Sequence, residues 1–338
     1  MRIAVVFGGI SPERNVSIAG GMAVVKALKS LGHDVLAVDP AFGGDALRNG
    51  EELANMAQIP DDSELKQFPE RNIIECFNSN IFDNVDAAFL VLHGLNGEDG
   101  KVQSLLELRG IPYTGSKILA SALSIDKAQS KAIFLANNIL TPAWRVVTPN
   151  EYNDYEVFEQ LRKDLGQNLV IKPNDQGSTI GISMIFNGNL DDIADAVVNA
   201  GKYSRKVLVE SFIPGREVTV GIIGGQALPL IEIKPEGGFY DYEHKYSKGK
   251  TEYICPMDVS EDISDFTQDI AVAAFEALGC EGFARADFRL SEDGQPFCLE
   301  MNTIPGFTDT SLVPKAAKSL GIEFPELCQN ILQLALGD

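Results

Sequence analysis

A chain of 338 residues, 45% of them hydrophobic, can bury a large core and has room for two or three domains. A formal charge of −20 and a pI near 4.5 argue against nucleic acid and anionic membrane as partners, because both would repel it. Five scattered cysteines without CxxC spacing suit a reducing cytoplasm and give no disulfide framework, three separated histidines give no zinc pattern, and no apolar run approaches membrane-spanning length.

Residues 2–7 (RIAVVF) read as a buried strand, and a glycine turn follows the short apolar run, so the start is not a signal peptide. Gly8-Gly9 lead into a helix marked by Ser11, Pro12 and Glu13 and running to about Ser30, where Gly32 ends it. His33–Val38 is a second strand, which makes a βαβ start to a parallel sheet. Residues 40–82 carry no clear pattern. Ala87–His93 is another buried strand, followed by the loop Gly94–Gly100 and a helix over Val102–Arg109. Ser124–Asn137 reads as one helix, Pro142–Val147 as extended, Val157–Leu165 as a helix and Leu169–Pro173 as a strand. The loop NDQGSTIG (174–181), the strand Ile182–Phe186 and a helix over Leu190–Ala200 complete a compact α+β middle part. Lys206–Glu210 and Glu217–Ile223 are expected to open a third, antiparallel part. Gly237–Pro256 reads as a long loop of the kind that forms lids, and the chain from Leu312 onward is helical.

The hairpin FARADFRL-SEDG-QPFCLEMN (283–302) is the segment richest in chemistry. A two-residue turn centred on Asp293-Gly294 would set Asp287 opposite Glu300 and Arg285 opposite Asn302, all on one face. Facing carboxylates repel unless something positive lies between them. Hard oxygen donors suit Mg²⁺, while an exposed acidic face with Arg285 as counter-ion is the alternative, and a loop one residue longer would break the register. Gly177-Ser178-Thr179-Ile180-Gly181 could close backbone N–H groups on phosphate oxygens or be an ordinary hairpin turn. It is not a Walker A loop, and Gly8-Gly9 lack the dinucleotide spacing. Lys172, inside an apolar strand, needs an anion such as a nucleotide phosphate or else snorkels. Lys127, which begins a helix after Ser124-Ile125-Asp126, is a second phosphate cation or a solvated helix residue. Glu210 closes a strand before the hinge Ser211-Phe212-Ile213, where Phe212 could hold a planar base and Glu217 could accept ribose hydroxyls, with a simple turn at Pro214-Gly215 as the alternative. His93 ends a parallel-type strand, a place where ligands collect, or caps a loop.

In order along the chain stand GGISPERNVS (8–17), LHGLNGEDG (92–100), YTGS (113–116), SIDK (124–127), IKPNDQGSTIG (171–181), VESFIPGREVTV (209–220), FYDYEHKY (239–246), RADF (285–288) and LEMNTIPGFTDTSLVP (299–314). Together they resemble the ATP-grasp superfamily and, within it, the D-alanine–D-alanine ligase family, over nearly the whole chain and least in 40–82. The resemblance implies an α/β ATP-grasp fold of three α/β domains: an N-terminal parallel-sheet domain at 1–116, a central one at 117–209, and a C-terminal one at 210–338 with a lid loop at 237–256. It implies Lys127 and Lys172 on the ATP phosphates, Glu210 and Glu217 at adenine and ribose, Phe212 at the hinge, and Ser178 in the phosphate lid with Phe239 beside the nucleotide. Asp287, Glu300 and Asn302 match the ligands of two Mg²⁺ ions, for which Mn²⁺ is a possible substitute. Arg285 and the Gly306 backbone match the oxyanion pair, and Glu13 matches the residue that holds the first D-alanine ammonium. Ser311, Leu312 and His93 match the second D-alanine pocket, and Lys245 and Tyr246 the lid residues that link to Ser178 and Glu13. Asn15, the wording DQGSTIG and Phe212 depart from the commoner pattern. A cytoplasmic homodimer acting on D-alanine and ATP is the implied form.

The implied reaction makes an acyl phosphate from the first D-alanine, which the amine of the second then attacks behind a closed lid. A sister ligase using D-lactate or D-serine shares most of these residues. A purine-pathway ligase gives no reason for SPERNVS and FYDYEHKY, a nucleotide-binding regulator would not need every carboxylate and lysine, and an NAD enzyme lacks its glycine fingerprint.

Overall fold

The computed structural model describes residues 1–49, 68–177, 180–235 and 251–337. β1 (Arg2–Val6), β2 (Asp34–Val38), β3 (Leu47–Arg48) and β4 (Ala87–Leu90) form the first sheet in the order β3-β2-β1-β4. β1 is parallel to both β2 and β4, and β3 runs antiparallel along the edge. A strand covered on both faces can be apolar throughout, and β4 is buried at every position. One face packs on the helix Arg14–Ser30 and on the last helix, Phe324–Leu336, through Phe7, Val24, Leu28, Phe89, Ile331 and Leu332. The C-terminal segment thus returns to the first sheet and carries residues 304–312 back to it. In the patternless stretch, the helix Arg71–Asn78 covers the other face through Ile73 and Phe77.

The turn after β1 is held by charge. Arg14 and Asp39 are both buried and ion-paired, and Asp39 Oδ1 also accepts from the N–H groups of Gly9 and Ala41. Gly8 has φ +79°, and a Cβ there would lie 2.6 Å from the Asp39 carboxylate, so glycine is required on both counts.

The expected single helix over Ser124–Asn137 is instead two, Ile118–Ile125 and Lys127–Ala136. Asp126 breaks them: its backbone is extended, and its side chain accepts from Gln129 N, the ordinary N-cap arrangement. Lys127 stands in the first turn of the second helix, as expected from the Ser124-Ile125-Asp126 that precede it. β5 (Trp144–Val147), β6 (Asn168–Pro173), β7 (Ser183–Phe186) and β8 (Val207–Ser211) form an antiparallel second sheet in the order β5-β8-β6-β7. The expectation that Lys206–Glu210 opens the third part is corrected here. β8 lies between β5 and β6, where a strand with both neighbours paired is buried along its length. The helices Tyr155–Leu165 and Leu190–Ala200 cover one face.

β9 (Arg216–Ile223), β10 (Gln226–Ala227), β11 (Ile231–Pro235), β12 (Thr251–Ile254), β13 (Phe283–Leu290) and β14 (Pro296–Asn302) form the third sheet, with main order β12-β11-β9-β13-β14. β12 falls inside the stretch 237–256 expected to be loop throughout. Its TEYI sequence alternates and pairs antiparallel with β11. The rest of that loop, 237–250, lies outside the described residues. The helix Glu261–Ala277 backs this sheet. Among the described residues no helix is long and apolar enough to cross a membrane.

Asp39→Asn should leave the Arg14 charge buried without its counter-charge. We expect the first sheet to lose about 3 kcal/mol of local stability, read as faster hydrogen exchange of the β1 and β4 amides. Unchanged exchange would show that the pair does not hold this turn.

Candidate functional site

The β13–β14 hairpin sets the site. Asp287 faces Glu300 and Arg285 faces Asn302, as expected, but the turn is not the two-residue one assumed. Ser291 N–H bonds to Gln295 O and Gly294 N–H to Ser291 O, which leaves a three-residue loop with Gly294 at φ +80°. This longer loop shifts the register by one, so that Phe288 pairs with Cys298. A β-bulge at Leu299 then shifts it back before the acids. Two deviations cancel, and the polar face survives.

Each facing carboxylate has a cation. Arg285 grips Asp287 with two bonds, Nε to Oδ1 at 2.8 Å and Nη2 to Oδ2 at 2.7 Å. Asn302 Nδ2 and Thr219 Oγ1 donate to the same carboxylate at 2.9 and 2.6 Å. Lys127 Nζ stands 3.2 Å from Glu300 Oε2 and also donates to the carbonyl of Gln176 at 2.7 Å. The first turn of the Lys127 helix is docked on β6's exit by bonds from Lys127 N and Ala128 N to Asn174. The counter-ion reading of Arg285 is therefore realised, and the donor set remains one of hard oxygens. Two carboxylates and an amide suit Mg²⁺ that completes its shell with water and phosphate. No group of three acidic, His or Cys side chains lies together among the described residues, so a metal here would need such outside ligands.

Across the cleft from the hairpin, Glu210 on β8 binds two lysines at once. Its Oε1 lies 2.7 Å from Lys131 Nζ and its Oε2 lies 2.8 Å from Lys172 Nζ. All three are buried. Burial alone would push the Glu210 carboxyl up, but the two ammonium groups override it and hold it below its ordinary range. Burial opposes the Lys172 charge too, yet Glu210 prevails and raises its pKa. Lys131, which also donates to Thr141 Oγ1 at 2.6 Å, is lowered by burial that Glu210 only partly offsets. The anion that Lys172 needs is thus supplied by the protein itself.

At the hinge, the Phe212 ring meets Phe186 edge-on and carries the Arg289 guanidinium 5.4 Å from its centroid. Arg289 also reaches Glu217 at 3.8 Å and the Ile213 carbonyl at 3.1 Å. The hinge backbone is partly engaged, because Ser211 N and Phe212 N donate to the carbonyls of Ala143 and Asn168. One cleft between the second and third sheets is lined by Lys172, Glu210 and Phe212 on the side of the second sheet and by Glu217, Arg285, Asp287 and Glu300 on the third, with Lys127 and Leu312.

The remaining predicted residues gather at one end of this cleft. Glu13, buried at the start of the Arg14–Ser30 helix, meets the phosphate-loop glycine: a Cβ at Gly177 would lie 2.6 Å from its Oε2. His93 Nδ1 bonds to the carbonyl of Ile304 at 2.8 Å. A Cβ at Gly306 would lie 3.7 Å from Ser311 Oγ, and Ser311 in turn accepts from Thr308 N at 2.9 Å. Ser178, Phe239, Lys245 and Tyr246 lie outside the described residues.

Sequence reading passed over Lys131, Thr219, Arg289 and Glu98. Lys131 is four residues after Lys127 and so shares its helix face. Arg289 shares the face of Arg285 and Asp287 by strand alternation. Thr219 is visible only once β9 is known to pair with β13. Glu98 carried no signal beyond its place in a glycine-rich loop.

Two antiparallel sheets closing on a cleft, with Lys172 on one, a carboxylate hairpin on the other and Lys127 on a helix between them, define an ATP-grasp protein. Models of the D-ala D-ala ligase N-terminus and C-terminus match residues 2–116 and 133–333. The chain belongs to the D-alanine–D-alanine ligase family. It is 41% identical to the D-alanine–D-alanine ligase of Desulforamulus reducens over 99% of each chain. Among solved structures it resembles the D-alanine–D-alanine ligase of Bacillus anthracis, with TM-score 0.78, 31% identity and coverage of 100% of this chain and 98% of that one. The same enzyme complexed with ATP gives TM-score 0.75, 29% identity and 100% and 97% coverage. The VanG D-Ala:D-Ser ligase of Enterococcus faecalis gives 0.81, 28% and 99% of both chains.

Glu98 offers a test of the site's electrostatics. Burial first, and then the charge of Glu13, pushes its carboxyl from 4.5 up to about 8. A raised carboxyl means that the folded chain holds more protons than the unfolded one between those values. Its contribution to stability is full below about 4.5 and is lost as pH rises to about 8. Relative to wild type, Glu98→Gln should therefore gain stability as pH rises through that window, by up to about 1.4 kcal/mol per pH unit. Thermal midpoints at pH 5, 6, 7 and 8 measure it, and a constant difference would show that Glu98 does not titrate there.

Proposed function

We propose that the chain joins two D-alanines into D-alanyl-D-alanine at the expense of ATP, through an acyl phosphate, to supply a peptidoglycan precursor. The observation that carries this reading is the charge line across the cleft. Lys127, on a helix packed against the third sheet, joins Glu300 of that sheet to the Gln176 carbonyl after β6, while Lys172 on β6 is held by Glu210. Glu13 marks the substrate end beside Gly177. The near-full-length likeness to ligases of this name supports the choice of substrate.

In this reading Phe212 packs on the adenine, Glu217 takes the ribose hydroxyls, and Lys127 and Lys172 hold the phosphates. Glu210 holds both lysines in place and favours the charge of Lys172, besides its expected position at the base edge. Asp287, Glu300 and Asn302 would hold two Mg²⁺ ions, with Mn²⁺ a substitute; such ions offset the charge of the phosphate oxygens. Glu13 orients the first D-alanine by its ammonium, so that its carboxylate faces the γ-phosphate. Ser311, Leu312 and His93 receive the second D-alanine. Arg285, aligned by its two bonds to Asp287, and the Gly306 N–H stabilise the oxyanion formed when the amine attacks. Ser178, Phe239, Lys245 and Tyr246 belong to the lid that excludes water from the acyl phosphate. The protein is read as a cytoplasmic homodimer.

Mass analysis of products from ATP, Mg²⁺ and D-alanine, with D-lactate and D-serine competing, tests the assignment. D-alanyl-D-alanine should dominate at neutral pH. A dominant ester or D-alanyl-D-serine would reassign the nucleophile, and ATP binding without turnover would make the chain a regulator. Glu300→Gln removes one charge and little volume. It should cut turnover at least about 100-fold, equal to about 2.7 kcal/mol of barrier, with circular dichroism unchanged. Near-normal turnover in ordinary Mg²⁺ would overturn the metal assignment.

A further inference from the structure

Ile304 is held at both of its backbone polar atoms by one loop of the first sheet. Its carbonyl accepts from His93 Nδ1 at 2.8 Å, and its N–H donates to Glu98 Oε1 at 3.3 Å. The other Glu98 oxygen accepts from Gly94 N–H at 2.7 Å, while Glu98 N–H returns to Gly94 O at 2.9 Å. Ser11 Oγ donates to the His93 carbonyl at 2.6 Å, which joins the Glu13 segment to the same loop. One buried carboxylate therefore splints the loop that carries His93 to the run Ile304-Pro305-Gly306. Pro305 has a locked φ and restricts the residue before it, so few soft torsions separate the clamped Ile304 from Gly306. A carboxylate so buried is costly to keep, and an apolar residue would fill the space without that cost.

We propose that Glu98 is a positioning residue for the second half of the reaction, fixing the Ile304–Gly306 run so that the Gly306 N–H meets the oxyanion. This rests on the ligase reading above. The first half, phosphoryl transfer, depends on the lysines and the hairpin rather than on this run. If the splint loosens, the acyl phosphate still forms but waits longer for the amine. Water then attacks it, returning D-alanine and inorganic phosphate, so ATP is consumed without dipeptide. Displacements of about 1 Å can cost about 100-fold in such steps.

The test is the ratio of ADP to D-alanyl-D-alanine formed at pH 9, above the Glu98 titration so that both of its oxygens accept, by wild type, Glu98→Gln and Glu98→Asp. Glutamine keeps one acceptor oxygen but offers an NH₂ where the second must accept, so it can hold only one of the two N–H groups. Wild type should give a ratio near one. Glu98→Gln should lower dipeptide formation about 10- to 100-fold, lower D-alanine-dependent ADP formation less, raise the ratio above one and leave KM for ATP unchanged. If Glu98→Gln fails to fold, Glu98→Asp carries the test, with a smaller shift in the same direction. A ratio that stays at one, whether rates are kept or fall together, would overturn the proposal and leave Glu98 purely structural. Absence of dipeptide from wild type would overturn the ligase reading and this inference with it, whereas wild-type dipeptide with an unmoved ratio would overturn the inference alone.

Discussion

The cleft depends on the buried carboxylate of Glu210. Two lysines in a dry cleft repel each other, and either alone would tend to lose its proton. Glu210 lies between Lys131 and Lys172 and gives each an oxygen. The central position of β8 places it there, because β5 and β6 on either side bring Trp144 and Val170 level with Glu210. The group carries net positive charge inside a chain of net charge −20. Local charge, not the overall balance, decides what such a cleft attracts.

The same logic orders the opposite wall. Asp287 and Glu300 face one another, yet neither is left to repel the other, since Arg285 holds the first and Lys127 the second. Thr219 and Asn302 complete the shell of Asp287. The hairpin is thus held by the protein's own side chains. Preorganisation of this kind lowers the ordering cost of binding.

Much of this was legible in the sequence, for stated reasons. Short apolar runs bounded by glycine marked the strands of the first two sheets, and alternation put Arg285, Asp287, Glu300 and Asn302 on one face. The facing of Asp287 and Glu300 came out as expected for an incomplete reason: the loop is one residue longer than Asp293-Gly294 suggests, and the Leu299 bulge restores the register. Neither deviation has a sequence signature strong enough to read alone. The helix start at Lys127 was legible, since Asp before a helical run is an N-cap signal, while the separate helix that ends at Ile125 was missed. The position of β8 could not, because which strands neighbour one another is decided by the whole sheet. Lys131 and Glu98 were hidden for a related reason: a buried charge is recognised by its partners, and those lie far along the chain, at Glu210 and Ile304.

Ligand binding in such a cleft is best regarded as an exchange of partners. Lys127 pairs with Glu300 at the edge of the third sheet. A phosphate group entering between them would take the lysine, and a hard cation arriving with it would take the carboxylate. The number of paired charges is kept, so neither side chain passes through an unpaired buried state, the step that makes buried ions costly. Lys172 differs, because Glu210 keeps one oxygen on it from behind and a phosphate would add to that contact rather than replace it. The two lysines on which the proposed chemistry relies thus have distinct duties. Lys127, in the first turn of its helix and bonded to the acid hairpin, holds a charge whose partner can be exchanged. Lys172, fixed in β6, holds one whose partner stays in place.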